Sequence, residues 1–292
     1  MNDMVSRREL MTLMGAAAAV NGLPAFAQTS LLPINTPGLD HLDVIVPDVE
    51  KSTRFYMGLF KTTLHAQPFQ GGQRYFVLLG PLTAERTVGY IAIGDSRGRG
   101  TYIGHFCTSV VEWRRDSAAI FAQLKERVRD AKFGEFVAGG GFGGIFDDPD
   151  GIEIQFLPSP DTLVTAAVPS ALVPGEQGLV TPLQVDNVLL KVSDLDRAVE
   201  FYRILYGKES RRSRDSAEFA FKNGSRLYLE TTRYEYGNAQ ARIARYGIRV
   251  RAFDRTMVKA QLPTLGGTFV ADDGKALRLR DVDGIELELI ST

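Results

Sequence analysis

Hydrophobic and polar positions along the chain alternate in short blocks that spell out a repeated unit. Positions 42–46 (Leu-Asp-Val-Ile-Val) combine alternation with β-branched residues and predict a strand. Asp48 follows as a helix N-cap, and Val49, Phe55, Tyr56, Leu59 and Phe60 form an apolar stripe, so a helix is expected to about residue 60. Strand patterns recur at 74–79 and 88–93. A second cycle opens with a strand at 102–110, continues through a helix at 117–128 and ends in a strand at 152–157. Beyond residue 184, strands are expected near 187–192, 218–221, 226–230, 247–251 and 285–290, with the second helix of that half at 255–262.

These blocks repeat in sequence as well as in pattern. Val46-Pro47-Asp48-Val49 leading to Phe55-Tyr56 returns 146 positions later as Val192-Ser193-Asp194-Leu195 leading to Phe201-Tyr202. Asp148-Pro149-Asp150-Gly151 and its strand return 133 positions later as Asp281-Val282-Asp283-Gly284. The chain therefore holds two homologous modules, 39–158 and 184–292, with a Pro-, Gly- and Ala-rich linker at 159–183 and a lead at 28–38.

Residues 1–27 read as an address label rather than structure. Ser6-Arg7-Arg8-Glu9-Leu10 precedes a short, mildly apolar run, and Pro24-Ala25-Phe26-Ala27 offers small residues for cleavage. The pattern resembles a twin-arginine export signal, so a periplasmic or secreted protein is expected. A membrane anchor is disfavoured because Asn21 and Pro24 interrupt the apolar run well short of a bilayer's span.

Composition removes several classes. Of 292 residues, 34 are Lys or Arg and 35 are Asp or Glu, a net charge of −1 that gives nucleic acid no electrostatic reason to bind. The single cysteine, Cys107, excludes an internal disulfide and any multi-cysteine metal cluster. Only three histidines, His41, His65 and His105, are available for metal chemistry.

Leu39-Asp40-His41-Leu42, the Val-Pro-Asp helix with its Phe-Tyr pair, and the Asp-Pro-Asp-Gly strand together resemble the vicinal oxygen chelate (VOC) superfamily of glyoxalases, bleomycin resistance proteins and extradiol dioxygenases. The resemblance implies an α+β fold of two tandem VOC modules. Each module would be built from paired βαβββ units that form a cup-shaped, mostly antiparallel sheet. It also implies a metal at the bottom of a cup. In the first module the family's ligand positions fall on His41, His105 and Gln155, separated by 64 and 50 residues. In the second they fall on Asn187, about Gly247, and Glu288, a set that cannot hold a metal firmly. Fe(II) or Mn(II) is the favoured ion, with Zn or Ni also compatible.

Gln155 replaces the carboxylate of the dioxygenase pattern, and Glu153, two residues earlier on the same strand face, is the alternative third ligand or a catalytic base. Tyr90 falls where ring-cleaving relatives keep an acid–base histidine, so it is a candidate proton donor or a wall of the pocket. Cys107 shares a strand face with His105 and is expected to be a buried, inert thiol. His65 is expected at the periphery, and Arg211, Arg212 and Arg214 on a solvated hairpin. The Gly-rich stretch 139–144 is expected to bring backbone over the cup mouth rather than to cradle phosphate. Three functions stand open. They are an extradiol-dioxygenase-like enzyme acting on a catechol-type substrate, a glyoxalase-like lyase or isomerase, and a non-catalytic small-molecule binder. The two halves could pair within one chain or across a homodimer.

Overall fold

A computed structural model describes residues 30–69, 72–80, 89–128, 143–158, 177–232 and 242–292. The export-like segment 1–27 and residues 139–142 of the Gly-rich stretch lie outside them.

The first half runs β1 (Gly38–Val46), α1 (Val49–Leu59), β2 (Leu64–Phe69), β3 (Gly72–Leu78) and β4 (Tyr90–Asp95). It continues through β5 (Tyr102–Val110), α2 (Trp113–Arg127), β6 (Gly144–Asp147) and β7 (Glu153–Pro158). The second half runs β8 (Pro182–Val192), α3 (Leu195–Tyr206), β9 (Arg211–Arg212), β10 (Ser216–Ala220) and β11 (Arg226–Thr231). It closes with β12 (Arg242–Val250), α4 (Arg255–Gln261), β13 (Thr268–Asp272), β14 (Ala276–Arg280) and β15 (Glu286–Ser291). The strands form a seven-stranded sheet, β2-β3-β4-β1-β5-β7-β6, and an eight-stranded sheet, β13-β14-β15-β12-β8-β11-β10-β9. Only β1–β4 and β5–β7 in the first sheet, and β11–β8 and β12–β15 in the second, are parallel. The expected α+β architecture of two tandem modules with mostly antiparallel sheets is the one observed.

Local chemistry accounts for the helices. Asp48, Asp194 and Asp254 each accept a hydrogen bond from the backbone N–H three residues on, at 2.9, 3.0 and 3.0 Å, which caps α1, α3 and α4. α2 begins at Trp113, four residues before the expected start. No side chain caps it, but the buried Trp113 packs edge-on against Phe121 and Phe156, and that burial outweighs the weak local signal.

The two repeated motifs interlock across the halves. Asp148 Oδ1 accepts the N–H groups of Asp150 and Ile152, closing a turn in which Gly151 adopts φ 79°. Its Oδ2 accepts the hydroxyl of Tyr202 on α3 at 3.0 Å. Reciprocally, Asp281 closes its own turn onto Asp283 and Ile285 and accepts the Tyr56 hydroxyl from α1 at 2.6 Å, with Tyr246 at 2.8 Å from the same phenol. Burial, opposed by these hydrogen bonds, raises Asp148 to about 6 and lifts Asp281 as well. The lead adds a third tie. Ile34 N–H reaches Leu205 O, Asn35 O takes the Val111 N–H, and Pro37 O takes the Asn223 N–H.

In β1, Leu42, Val44 and Val46 are fully buried in the core beneath the helices, whereas His41 and Asp43 point to the opposite, concave face. That face carries the site.

Candidate metal centre

Strand register brings the three candidate donors together. β1 pairs with β5 so that Asp43 opposes His105, and β5 pairs with β7 so that His105 opposes Glu153 and Cys107 opposes Gln155. A bulge in the β1–β5 ladder falls between Leu39 and Leu42, around His41. His41 Nε2 lies 3.3 Å from His105 Nε2 and 2.9 Å from Gln155 Oε1. All three side chains are buried. The imidazoles meet edge-on at 78°.

The other ring nitrogens are held by carboxylates. His41 Nδ1 is 3.0 Å from Asp40 Oδ1, and His105 Nδ1 is 3.2 Å from Glu153 Oε1 and 3.4 Å from Asp43 Oδ2. A carboxylate requires a proton on the nitrogen it faces, so in each neutral imidazole Nε2 is a bare lone pair. Burial pushes His41 below the usual histidine range against the opposing pull of Asp40, which keeps the ring neutral. His105 Nε2, Gln155 Oε1 and the Tyr90 hydroxyl then gather about His41 Nε2, an arrangement that suits a cation. With metal–donor bonds of about 2.1 Å, cis donors on an octahedral ion sit about 3.0 Å apart, close to the 2.9 and 3.3 Å that separate His41 Nε2 from Gln155 and His105. The residues present therefore fit a divalent metal.

Glu153 and Gln155 separate in role. Gln155 turns its oxygen to the shared point, while the half-exposed Glu153 carboxylate engages the far nitrogen of His105. Asp40, His41 and Cys107 also bring ligand atoms within 4.8 Å of one another. That trio is already satisfied internally: Asp40 holds His41 Nδ1 and the Ser109 hydroxyl (2.7 Å), and the buried Cys107 thiol donates to Thr108 O at 3.6 Å. The Nε2 side is the better cation site. Asp40 and Asp43, which hold both rings, were missed from sequence; their placement one residue before and two after His41 on an alternating strand was the available signal.

Tyr90 stacks on His41 at 4.2 Å, and its hydroxyl lies 3.5 Å from His41 Nε2. Phe76 meets Tyr90 edge-on, and with Leu78 and Ala92 the two make a separate apolar cluster on the concave face. His65, opposite Phe76 in the ladder, is three strands away from His41, and burial lowers its pKa. Arg211 and Arg212 lie exposed in the edge strand β9, with Arg212 paired to Asp196.

The second module corrects one expected correspondence. In the ladders Leu42 opposes Phe106 and Val188 opposes Tyr246, so Arg245 stands where His105 does and Gly247 matches Cys107. Arg245 Nε lies 2.9 Å from Glu288 Oε1, the counterpart of Gln155, and the Arg278 guanidinium joins the same oxygen at 3.1 Å. Asn187, the counterpart of His41, fills the space above Gly247. The cation in this cup is a side chain.

Residues 38–156 match the family model of the Glyoxalase/Bleomycin resistance protein/Dioxygenase superfamily. The chain is 26% identical over 225 residues to a probable chloroplastic lactoylglutathione lyase of Arabidopsis thaliana, covering 70% of this chain and 58% of that relative's length. Among solved structures it is similar to the Mn(II)-bound glyoxalase from Novosphingobium aromaticivorans (TM-score 0.62, 13% identity, 88% of this chain and 83% of that one). It is also similar to the 2,3-dioxygenase LapB from Pseudomonas sp. KL28 (TM-score 0.63, 14% identity, 89% and 93%). The family model thus covers the first module, and the solved structures share the fold over nearly the whole chain.

Proposed function

We propose that the chain is a divalent-metal-dependent enzyme in which His41, His105 and Gln155 hold Fe(II) or Mn(II), and that it acts on a small catechol-type substrate bearing two adjacent oxygens. The observation that carries this reading is the convergence of three donor side chains, with Gln155 Oε1 and His105 Nε2 at 2.9 and 3.3 Å from His41 Nε2 and both imidazoles backed by carboxylates. When bound, such an ion supplies a Lewis acid and a template for adjacent oxygens. Asp40, Asp43 and Glu153 keep the Nδ1 protons in place and hold both rings at fixed angles. The Tyr90 phenol stands beside the donors and can pass a proton to or from a substrate oxygen there. Phe76, Leu78, Tyr90 and Ala92 offer an apolar wall suited to a flat ring and exclude water from one side. Ring cleavage is favoured because the phenol lies next to the donors, whereas the nearby Glu153 carboxylate faces the far side of His105.

A glyoxalase-like lyase or isomerase is the second reading, favoured by the lactoylglutathione lyase relative and by the neutral donor set, which leaves an ion's charge undiminished for polarising a carbonyl. Oxygen uptake with a catechol panel separates the two. The first reading expects dioxygen consumption matched to catechol loss; turnover of a dicarbonyl-derived substrate under nitrogen, without oxygen uptake, supports the second. We further propose export of the folded, loaded protein to the periplasm or beyond, on the pattern at residues 6–27. Among the described residues no helix is long and apolar enough to cross a membrane.

A further inference from the structure

The second cup has exchanged its metal donors for charge, and a cavity of about 800 Å³ opens beside Arg245 where the two modules meet. Among the side chains lining it, Lys191, Arg242, Arg245 and Arg280 outnumber Glu153, Glu230 and Glu286. The carboxylates are engaged: Glu230 by Lys191, Glu286 by Arg280 at 2.6 Å, and Glu153 by His105 of the first cup at 3.2 Å. Arg242 and Arg245 differ from the other two cations. Among the described residues the exposed Arg242 side chain has no hydrogen bond and no ion pair. Arg245 Nε lies 2.9 Å from Glu288 Oε1 without the alignment of a hydrogen bond, because that oxygen takes the Arg278 Nε–H at 3.2 Å. One carboxylate thus serves two guanidiniums, and Arg242 is served by none.

A bulge turns both arginines to the cavity. In the ladder Arg242 opposes Lys191, Ile243 opposes Leu190 and Arg245 opposes Leu189, so the extra residue is Ala244. Ile243 and Tyr246 enter the core, and Arg242 and Arg245 share the concave face, about 7 Å apart along the strand. Three residues apart on a regular strand, they would face opposite ways. The buried Ile103, Ile152, Ile243 and Ile285 supply apolar surface between the charges.

We propose that the second cup binds a phosphate monoester, with its dianionic phosphoryl group clasped between Arg242 and Arg245 and its organic part against the isoleucines. Guanidinium forks match phosphoryl oxygens two at a time, and two of them within reach of one tetrahedral group suit a dianion. The site takes no donor from the first cup, so it goes beyond the metal-centred reading and stands apart from it.

Calorimetry of the purified protein tests this with phenyl phosphate at pH 8, where the ester is a dianion, and with benzoate as a monoanion. One equivalent of phenyl phosphate per chain is expected to bind, about tenfold tighter than benzoate. Arg242→Gln and Arg245→Gln should each weaken it about tenfold, and high salt should weaken it as well. Arg242 is exposed, so its variant stays informative where Arg245→Gln fails to fold. The His41→Ala variant, which strips the first cup, should bind the ester as the unaltered chain does. No binding by the unaltered protein, or binding unchanged in Arg242→Gln, would overturn the proposal. Binding lost in His41→Ala would also overturn it, by placing the phosphoryl group on the first cup's metal.

Discussion

The two cups of this chain descend from one pattern and solve the same electrostatic problem in opposite ways. In the first, His41, His105 and Gln155 bring two imidazole nitrogens and an amide oxygen together, a set that suits a cation supplied from outside. In the second, Arg245 occupies the position of His105 and delivers a guanidinium to Glu288, with Arg278 beside it. A built-in cation needs no loading and is tethered by the chain, and its carboxylate partner Glu288 is approached by two guanidiniums at once. The contrast shows how a duplicated scaffold can carry different sites in its two modules: Asn187, Arg245 and Glu288 stand where the first has His41, His105 and Gln155, and the cation beside Glu288 is a side chain.

Restoring the lost donors should have the largest effect on this contrast. Asn187→His with Arg245→His, and Arg278→Gln to release Glu288, should raise bound divalent metal from one to two ions per chain; a count that stays at one means the backbone of the second cup does not present those positions correctly. Next in size, Asp40→Asn should lower metal affinity in the first cup by about 10- to 100-fold by loosening His41, measured by competition with a chelator. Asp186, the residue at the same place in the second module, pairs with Arg249, and its conversion to Asn should leave metal content unchanged. Smaller still, Tyr202→Phe leaves Asp148 buried without its cross-module donor and should cost about 1–3 kcal/mol in denaturant unfolding, whereas substitution of the exposed Arg211 should cost nothing measurable.

The same clamps give a pH dependence with a definite sign. Asp148 is raised from its unfolded value to about 6, so the folded state binds the proton more tightly. Its contribution to stability is therefore complete below about pH 3.8 and is lost as the pH rises through about 6. Asp148→Asn keeps the turn's acceptor oxygen and should flatten this slope in unfolding curves taken between pH 4 and 7. An unaltered slope would assign it to other groups.

Much of this could be read from residue order. The alternation at Leu42, Val44 and Val46 placed His41 on the other face, the capping Asp48 set the start of α1, and the repeated blocks announced two modules. What could not be read was anything requiring register. β2, β6, β9, β13 and β14 are short, edge-lying or polar strands whose pairing is decided by neighbours rather than by their own pattern. The residue order set the His105 counterpart only at about Gly247, and the ladder, with its bulges, moved the correspondence to Arg245. Glu153 and Gln155 share a strand face, so periodicity alone could not separate them; in the structure Gln155 Oε1 faces His41 Nε2 and Glu153 faces His105 Nδ1. The cross-module partners of Asp148 and Asp281 were equally hidden, because the motifs that meet are 54 and 225 residues apart.

The account stands on one ion shared by two imidazoles, and elemental analysis of the purified protein beside its His41→Ala and His105→Ala variants tests that most directly. One equivalent of a divalent transition metal in the unaltered chain, falling to background in both folded variants, is the predicted result. Full metal content retained by either variant would contradict it.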